Sequence, residues 1–157
     1  MRLMALIIAA LHFLPPSAVQ AGKGSLHMRE GGAVFPPKGF REFCHRLPQD
    51  CDGVSKRPAV VAMTPKRIRQ LEDVQRAVNL AVDYQSDAKT YGRSEYWAYP
   101  NGRGDCEDIA LAKRQRLLDL GWPQETLLFG IGKLSNGQYH LVLIAVTEQG
   151  DLVLDSN

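Results

Sequence analysis

The run Gly-Asp-Cys-Glu-Asp at residues 104–108 leads into a predicted helix. The helix should extend from about residue 106 to residue 120, because Asp105 suits a cap, acidic residues favour its positive end, and Gly121 ends it. Cys106 then lies at a helix start, where unpaired N–H groups and the helix dipole stabilise a thiolate. The flanking carboxylates oppose this effect. We therefore expect a compensating cation nearby, either an imidazolium or a bound metal ion.

Strand patterns follow this helix and a second helix precedes it. Residues 126–133 and 138–146 predict two strands joined by an Asn136-Gly137 turn, and residues 151–155 begin a third. Thr64-Pro65 begins a helix that should end at about residue 84. Between the helices, the Gly-rich and aromatic stretch 86–104 predicts a loop that lines a site, with Trp97 as a candidate for the cleft wall. The alternative for each aromatic residue is packing against the core. The order helix, helix and antiparallel meander predicts an α+β domain with helices packed on an antiparallel sheet.

His140 is the histidine that falls within the predicted sheet; the others are His12, His27 and His45. A loop at residues 147–150 would pair Val146 with Asp151 and place Asp155 diagonally across from His140 on the same face. A carboxylate there can fix the tautomer of the imidazole and stabilise its charged form. Cys106, His140 and Asp155 are therefore a candidate nucleophile, base and orienting acid. The alternative is a structural core histidine and an inert buried cysteine.

The beginning of the chain predicts export. Residues 1–21 have a positive start, an apolar run at residues 3–14 and small residues before a cleavage point after Ala21, which is the layout of a secretory signal peptide. A membrane anchor is disfavoured because a span needs about 18 or more apolar residues, and a buried amphipathic helix is the remaining alternative. We therefore predict a periplasmic protein with no stable membrane insertion after the signal is removed. Residues 22–60 predict an extended arm, and residues 61–157 the core domain.

Charge and cysteine content narrow the function further. A chain of 157 residues suits one domain, and its net charge of +2 gives no electrostatic case for a nucleic-acid partner. Of the three cysteines, Cys44 and Cys51 lie close enough in sequence to close a small disulfide loop in an oxidising compartment. Cys106 would then be left as a free thiol in an exported protein. Because such a thiol is exposed to oxidation, its presence suggests a function.

These motifs together resemble the bacterial transglutaminase-like cysteine proteinases, which belong to a papain-like superfamily. The resemblance covers about residues 40–157. Its landmarks are Phe43-Cys44, Cys51, Tyr84-Gln85-Ser86-Asp87, Tyr91-Gly92, Tyr96-Trp97-Ala98, the run at 104–108 with Ala110 and Lys113, Tyr139-His140-Leu141-Val142-Leu143, and Leu154-Asp155. Two features depart from the family pattern: Ile109 replaces a tyrosine, and the chain stops two residues after Asp155. The early stop predicts either a truncated form or a short sheet.

The resemblance implies a papain-like/transglutaminase-like fold and a periplasmic cysteine protease that cuts a peptide bond with a Cys-His-Asp triad. The family roles fall on Cys106, His140 and Asp155. Well-known members cleave a large surface adhesin, which controls biofilm release, and require calcium held by acidic residues beside the nucleophile. The matching positions are Asp105 and Glu107, with Asp108 as a weaker candidate. The expected partners are a protein substrate of this kind and an inner-membrane regulator.

Two other functions remain open at this point. A transglutaminase would use the same triad with an amine as the acyl acceptor. A non-catalytic calcium-dependent binding module would use the acidic residues while Cys106 stayed unreactive. A zinc site is disfavoured, because Cys106 and His140 lack a convincing second pair of Cys or His ligands.

Overall fold

Helices and an antiparallel sheet make up the protein in a computed structural model, which describes residues 26–29, 31–51 and 59–156. The helices are α1 (Lys38–Arg46), α2 (Pro65–Ala81), α3 (Asp87–Tyr91) and α4 (Cys106–Asp119). The strands are β1 (Asp83–Tyr84), β2 (Arg103–Gly104), β3 (Leu127–Lys133), β4 (Tyr139–Thr147) and β5 (Gly150–Leu154). The α+β prediction is confirmed. The proposed signal peptide lies outside the described residues, whose helices include none with the length and hydrophobicity of a membrane span.

The three strands after α4 form one antiparallel sheet in the order β3-β4-β5. The central strand, β4, is buried along most of its length, as its apolar character on both faces predicts. Val146 pairs with Asp151, which confirms the predicted register. Helix α4 packs on β4 and helix α2 packs on α4, so the apolar core lies between the helices and the sheet. Its members include Leu71, Val74, Val78, Ile109, Leu117, Leu141, Leu143 and Leu154.

Helix α2 begins as predicted but ends earlier. The Thr64 side chain accepts a hydrogen bond from the Arg67 amide at 3.2 Å, and Pro65 occupies the first turn. The predicted end near residue 84 is wrong, because the helix stops at Ala81. The chain then becomes strand β1, which pairs in parallel with β2 and donates the Asp83 amide to the Gly102 carbonyl at 2.9 Å. The hydrogen bonds of this pairing replace those of a further helical turn.

The prediction of an extended arm at residues 22–60 is wrong where α1 forms. Phe43 is 1% exposed, and Phe40 packs against the Trp97 ring with centroids 5.3 Å apart. Gly39 allows this close approach, because a Cβ atom there would lie 2.5 Å from a Trp97 carbon. The helix is therefore stabilised by tertiary packing on aromatic residues distant in sequence, which local propensity does not show.

The disulfide between Cys44 and Cys51 is present, as the sequence analysis allowed. It joins α1 to a short 3₁₀ turn at Pro48–Asp50. Cys106 is the free cysteine of the described residues, and it is partly buried.

Replacing both Cys44 and Cys51 by serine should lower the free energy of unfolding by about 2 kcal/mol, since a short closed loop restricts the unfolded chain. Chemical denaturation of the oxidised protein and the double variant would measure the difference. As a control, a reducing agent should leave the double variant unchanged. Equal stability of the two proteins would contradict the prediction.

Candidate active site

A cleft of about 280 Å³ opens where the start of α4 meets β4. Cys106 and His140 both line it, and Trp97 forms part of its wall, as predicted. Much of the remaining wall is apolar, and Glu95 and Glu107 add carboxylates. The full lining is Pro37, Glu95, Trp97, Cys106, Glu107, Ile131, Tyr139, His140 and Leu141. The cleft thus brings together two of the three residues singled out for catalysis.

Cys106 is the first residue of α4 and lies beside the strand that carries His140. The backbone amide of Leu141 donates to its Sγ atom at 3.5 Å. The thiol itself donates to the Glu107 carboxylate, with 2.8 Å between sulfur and oxygen. Burial raises the pKa of Cys106 to about 12, and the hydrogen bond to Glu107 adds to this effect. The thiol therefore keeps its proton when the neighbouring carboxylates are charged and uncompensated.

His140 and Asp155 meet as the strand register predicts. The Nε2 atom of His140 lies 2.7 Å from an Asp155 carboxylate oxygen. Leu143 pairs with Leu154 in the last step of the β4–β5 ladder, so Asp155 follows immediately beyond it. The His140 side chain is 13% exposed and that of Asp155 is 40% exposed. The contact engages the Nε2 atom of His140 and leaves Nδ1 outside it.

An acidic group lies beside Cys106. Carboxylate oxygens of Asp87, Asp105 and Glu107 lie within 4.8 Å of one another, close enough for a shared cation. Asp105 and Glu107 were predicted to bind metal, and the structure brings them together. Asp87 was missed, although it belongs to the Tyr84–Asp87 landmark. The available signal was that landmark itself, since the sequence separation of 18 between Asp87 and Asp105 hides their proximity.

The parallel pairing of β1 with β2 explains how Asp87 reaches this group. Tyr84 pairs with Gly104, and the Gln85 amide donates to the Gly104 carbonyl at 2.9 Å. Two residues beyond Gln85, the Asp87 amide donates to an Asp105 carboxylate oxygen at 3.2 Å. The start of α3 is therefore fastened against the start of α4.

Asp108 has a different environment from the three clustered acids. It is fully buried, and one oxygen accepts a hydrogen bond from the Ala98 amide at 2.8 Å. Within the described residues it is not part of the acidic group. Gly104 is required beside it, because a Cβ atom there would lie 2.6 Å from the Asp108 Cβ. Asp108 thus fixes the loop that carries Trp97 rather than extending the cluster.

Within the described part of the chain, the buried acidic residues lack partners for part of their carboxylate groups. Asp87, Asp105 and Asp108 each keep a buried carboxylate oxygen without a hydrogen-bond partner among the described residues. Burial raises the pKa of Asp87 and of Asp105 to about 6, and that of Asp108 to about 8. Oxygen ligands with net negative charge are those that calcium prefers. The residues present therefore fit a hard divalent cation held by Asp87, Asp105 and Glu107.

The chain is similar to known proteins over most of its length. The family model described as bacterial transglutaminase-like cysteine proteinase, BTLCP, matches residues 30–157. A search of curated proteins finds no match. A solved structure of Legionella pneumophila LapG is 29% identical over 78% of this chain, with a TM-score of 0.49. Its calcium-bound and EGTA-treated forms match at 29% and 28% identity over the same share of this chain, with TM-scores of 0.49 and 0.48. This chain spans 65%, 66% and 64% of those three LapG chains.

Proposed function

This chain belongs to the bacterial transglutaminase-like cysteine proteinases, and from that premise we propose that it hydrolyses peptide bonds with Cys106 as nucleophile, His140 as base and Asp155 as orienting acid. The observation that carries the proposal is the 2.7 Å contact between His140 and Asp155, at a cleft that Cys106 also lines. The family supplies the reaction class, a cysteine peptidase acting on a protein substrate.

The contact with Asp155 determines which nitrogen of His140 acts as the base. When Nε2–H donates to Asp155, the neutral imidazole carries its lone pair on Nδ1. Nδ1 then takes the proton of the Cys106 thiol. The thiol must first break its hydrogen bond to the Glu107 carboxylate. Asp155 stabilises the imidazolium that forms.

The reaction proceeds in two halves. The Cys106 thiolate attacks the carbonyl carbon of the scissile amide, and His140 donates its proton to the departing amine. Water then attacks the resulting thioester, with His140 as base, and the carboxyl product leaves as the thiol is restored. The backbone N–H of Cys106, at the first turn of α4, is the donor we assign to the developing oxyanion.

Calcium is the metal that we assign to Asp87, Asp105 and Glu107. Bound there, it would neutralise the negative charge that faces the Cys106 sulfur, and so favour the thiolate. The buried unpartnered oxygens of Asp87 and Asp105 support this assignment. Asp87 and Asp105 hold the starts of α3 and α4 together through one hydrogen bond, and a shared cation would strengthen that junction.

The compartment and the substrate belong to the same proposal. The signal-like residues 1–21 and the Cys44–Cys51 disulfide support a periplasmic location, because disulfides persist in oxidising compartments. We propose a large surface adhesin as the protein substrate and an inner-membrane protein as the regulator, following the family resemblance.

The test is alkylation of the folded protein by iodoacetamide at neutral pH, with calcium or with a chelator, followed by mass spectrometry. Cys106 should react, and calcium should accelerate it about tenfold or more, since reactivity follows the thiolate fraction. Cys44 and Cys51 should stay unmodified. Asp105→Asn should remove the calcium effect, whereas Asp73→Asn, at an exposed carboxylate on α2, should preserve it.

The outcomes separate the parts of the proposal. Absence of labelling in folded protein, in both conditions, would make Cys106 structural and would favour a binding module. Labelling at the same rate with calcium and with chelator would refute the calcium site alone. An acyl product formed with an added amine in place of water would identify a transglutaminase.

A further inference from the structure

Asp155 lies one residue beyond the β4–β5 ladder, so strand pairing does not fix its backbone. Its carboxylate nevertheless meets His140 at 2.7 Å. A loose backbone at this point would let the carboxylate move away from the imidazole. Another set of contacts must therefore hold the residue.

Three side chains donate to the backbone carbonyl oxygen of Asp155. The Lys113 Nζ atom lies 2.7 Å from it, the Gln75 amide nitrogen 2.5 Å, and the Asn79 amide nitrogen 3.1 Å. Lys113 also lies 3.4 Å from the Leu154 carbonyl oxygen. We call Gln75, Asn79 and Lys113 the Asp155 clamp. The convergence of three donors on one carbonyl exceeds what backbone satisfaction requires, since a carbonyl oxygen has two lone pairs.

Burial of Lys113 at this position is unfavourable in free energy. The side chain is fully buried, and burial lowers its pKa to about 8 even though the Asp155 charge acts in the opposite direction. A buried ammonium costs free energy that an apolar side chain of similar length would avoid. Its place on α4, two helical turns after Cys106, links the nucleophile's helix to the residue that orients the base.

The two amide side chains also lie where they carry a cost. Gln75 and Asn79 are on the same face of α2, one turn apart, and both turn their NH₂ groups to Asp155. Each keeps its own amide oxygen buried without a hydrogen-bond partner among the described residues. The Asp155 carbonyl is thus the shared acceptor for donors from two helices.

We propose that Gln75, Asn79 and Lys113 are positioning residues, which hold the backbone of Asp155 so that its carboxylate fixes the tautomer and orientation of His140. This inference rests on the proposed function for its catalytic meaning. The clamp touches neither the cleft nor the sulfur, so its effect passes through Asp155 to His140. Removal of a donor should therefore alter the tautomer and orientation of the imidazole while the fold is kept.

The experiment uses the full chain labelled with ¹⁵N-histidine and compares the His140 ring signals of wild type, Asp155→Asn, Lys113→Met and Asn79→Leu. Wild type should show a single tautomer with the proton on Nε2. Asp155→Asn gives the ring signals of a His140 that has lost its orienting acid, and these signals are the limit for the other variants. Lys113→Met should shift the ring signals toward that limit, and should slow alkylation of Cys106 by between about 10- and 100-fold, as expected for a misplaced catalytic group. Asn79→Leu should shift them in the same direction and by less.

Lys66→Met, at an exposed lysine on α2, is the matched control and should match wild type. If Lys113→Met does not fold, Asn79→Leu carries the test alone. Ring signals in the folded clamp variants identical to wild type, while Asp155→Asn differs, would overturn the clamp. Failure of the proposed function looks different, because wild-type Cys106 would then resist alkylation whatever the His140 signals show.

Discussion

Replacing Cys106 by alanine is expected to abolish peptide hydrolysis, with a loss of at least about 10⁴-fold in kcat. The reason is that the proposed thioester forms on this sulfur, and no other thiol of the described residues is free. A library of internally quenched peptides, screened first with the wild-type protein, would supply a cleaved sequence for the measurement. The cleft would still bind that peptide, so its Kd should change much less than kcat.

The matched control for Cys106→Ala is Asp119→Ala, at the other end of the same helix. Asp119 lies outside the cleft, where its carboxylate accepts from the Gln115 side chain at 2.9 Å, and its loss should leave hydrolysis near the wild-type rate. Residual cleavage by Cys106→Ala above about 1% of wild type would place the nucleophile elsewhere.

The sequence predicted helix α4 and the sheet that follows it, because these elements carry their own sequence signals. Helix α4 has an acidic first turn and a glycine after its end, and β4 is apolar on both faces. Once β4 and β5 are identified, a side-chain period of two residues and one loop length fix the register. That register brings Asp155 near His140, which is why their contact was predictable.

The remaining elements depend on partners that local sequence does not show. Helix α1 is stabilised by Phe40 and Phe43 packing against aromatic residues of the later loop. Asp87 joins the acidic group through a two-residue parallel pairing, which is too short to leave a periodic signal. Lys113 has the pattern of an ordinary solvated helix lysine, yet it is buried against the end of β5. Each of these residues acquires its role from a contact distant in sequence.

Replacing His140 by alanine should lower hydrolysis by about 10³- to 10⁴-fold, close to the loss for Cys106→Ala, because the two residues act as a unit. Without the imidazole, the Cys106 thiol keeps its hydrogen bond to Glu107 and has no base to take its proton. Alkylation of Cys106 should slow in parallel. His45→Ala, at an exposed histidine of α1, is the matched control and should be silent.

Added imidazole distinguishes a lost base from a damaged fold. The alanine variant leaves a space the size of the missing ring beside a cleft of about 280 Å³, next to the Asp155 carboxylate that would orient an imidazole there. Recovery of hydrolysis that saturates with imidazole would show that the missing function is proton transfer. A stable, folded His140→Ala protein that hydrolyses at the wild-type rate would remove His140 from the mechanism. Asp155 would then lose its proposed role as well, since the carboxylate acts on the reaction through the imidazole.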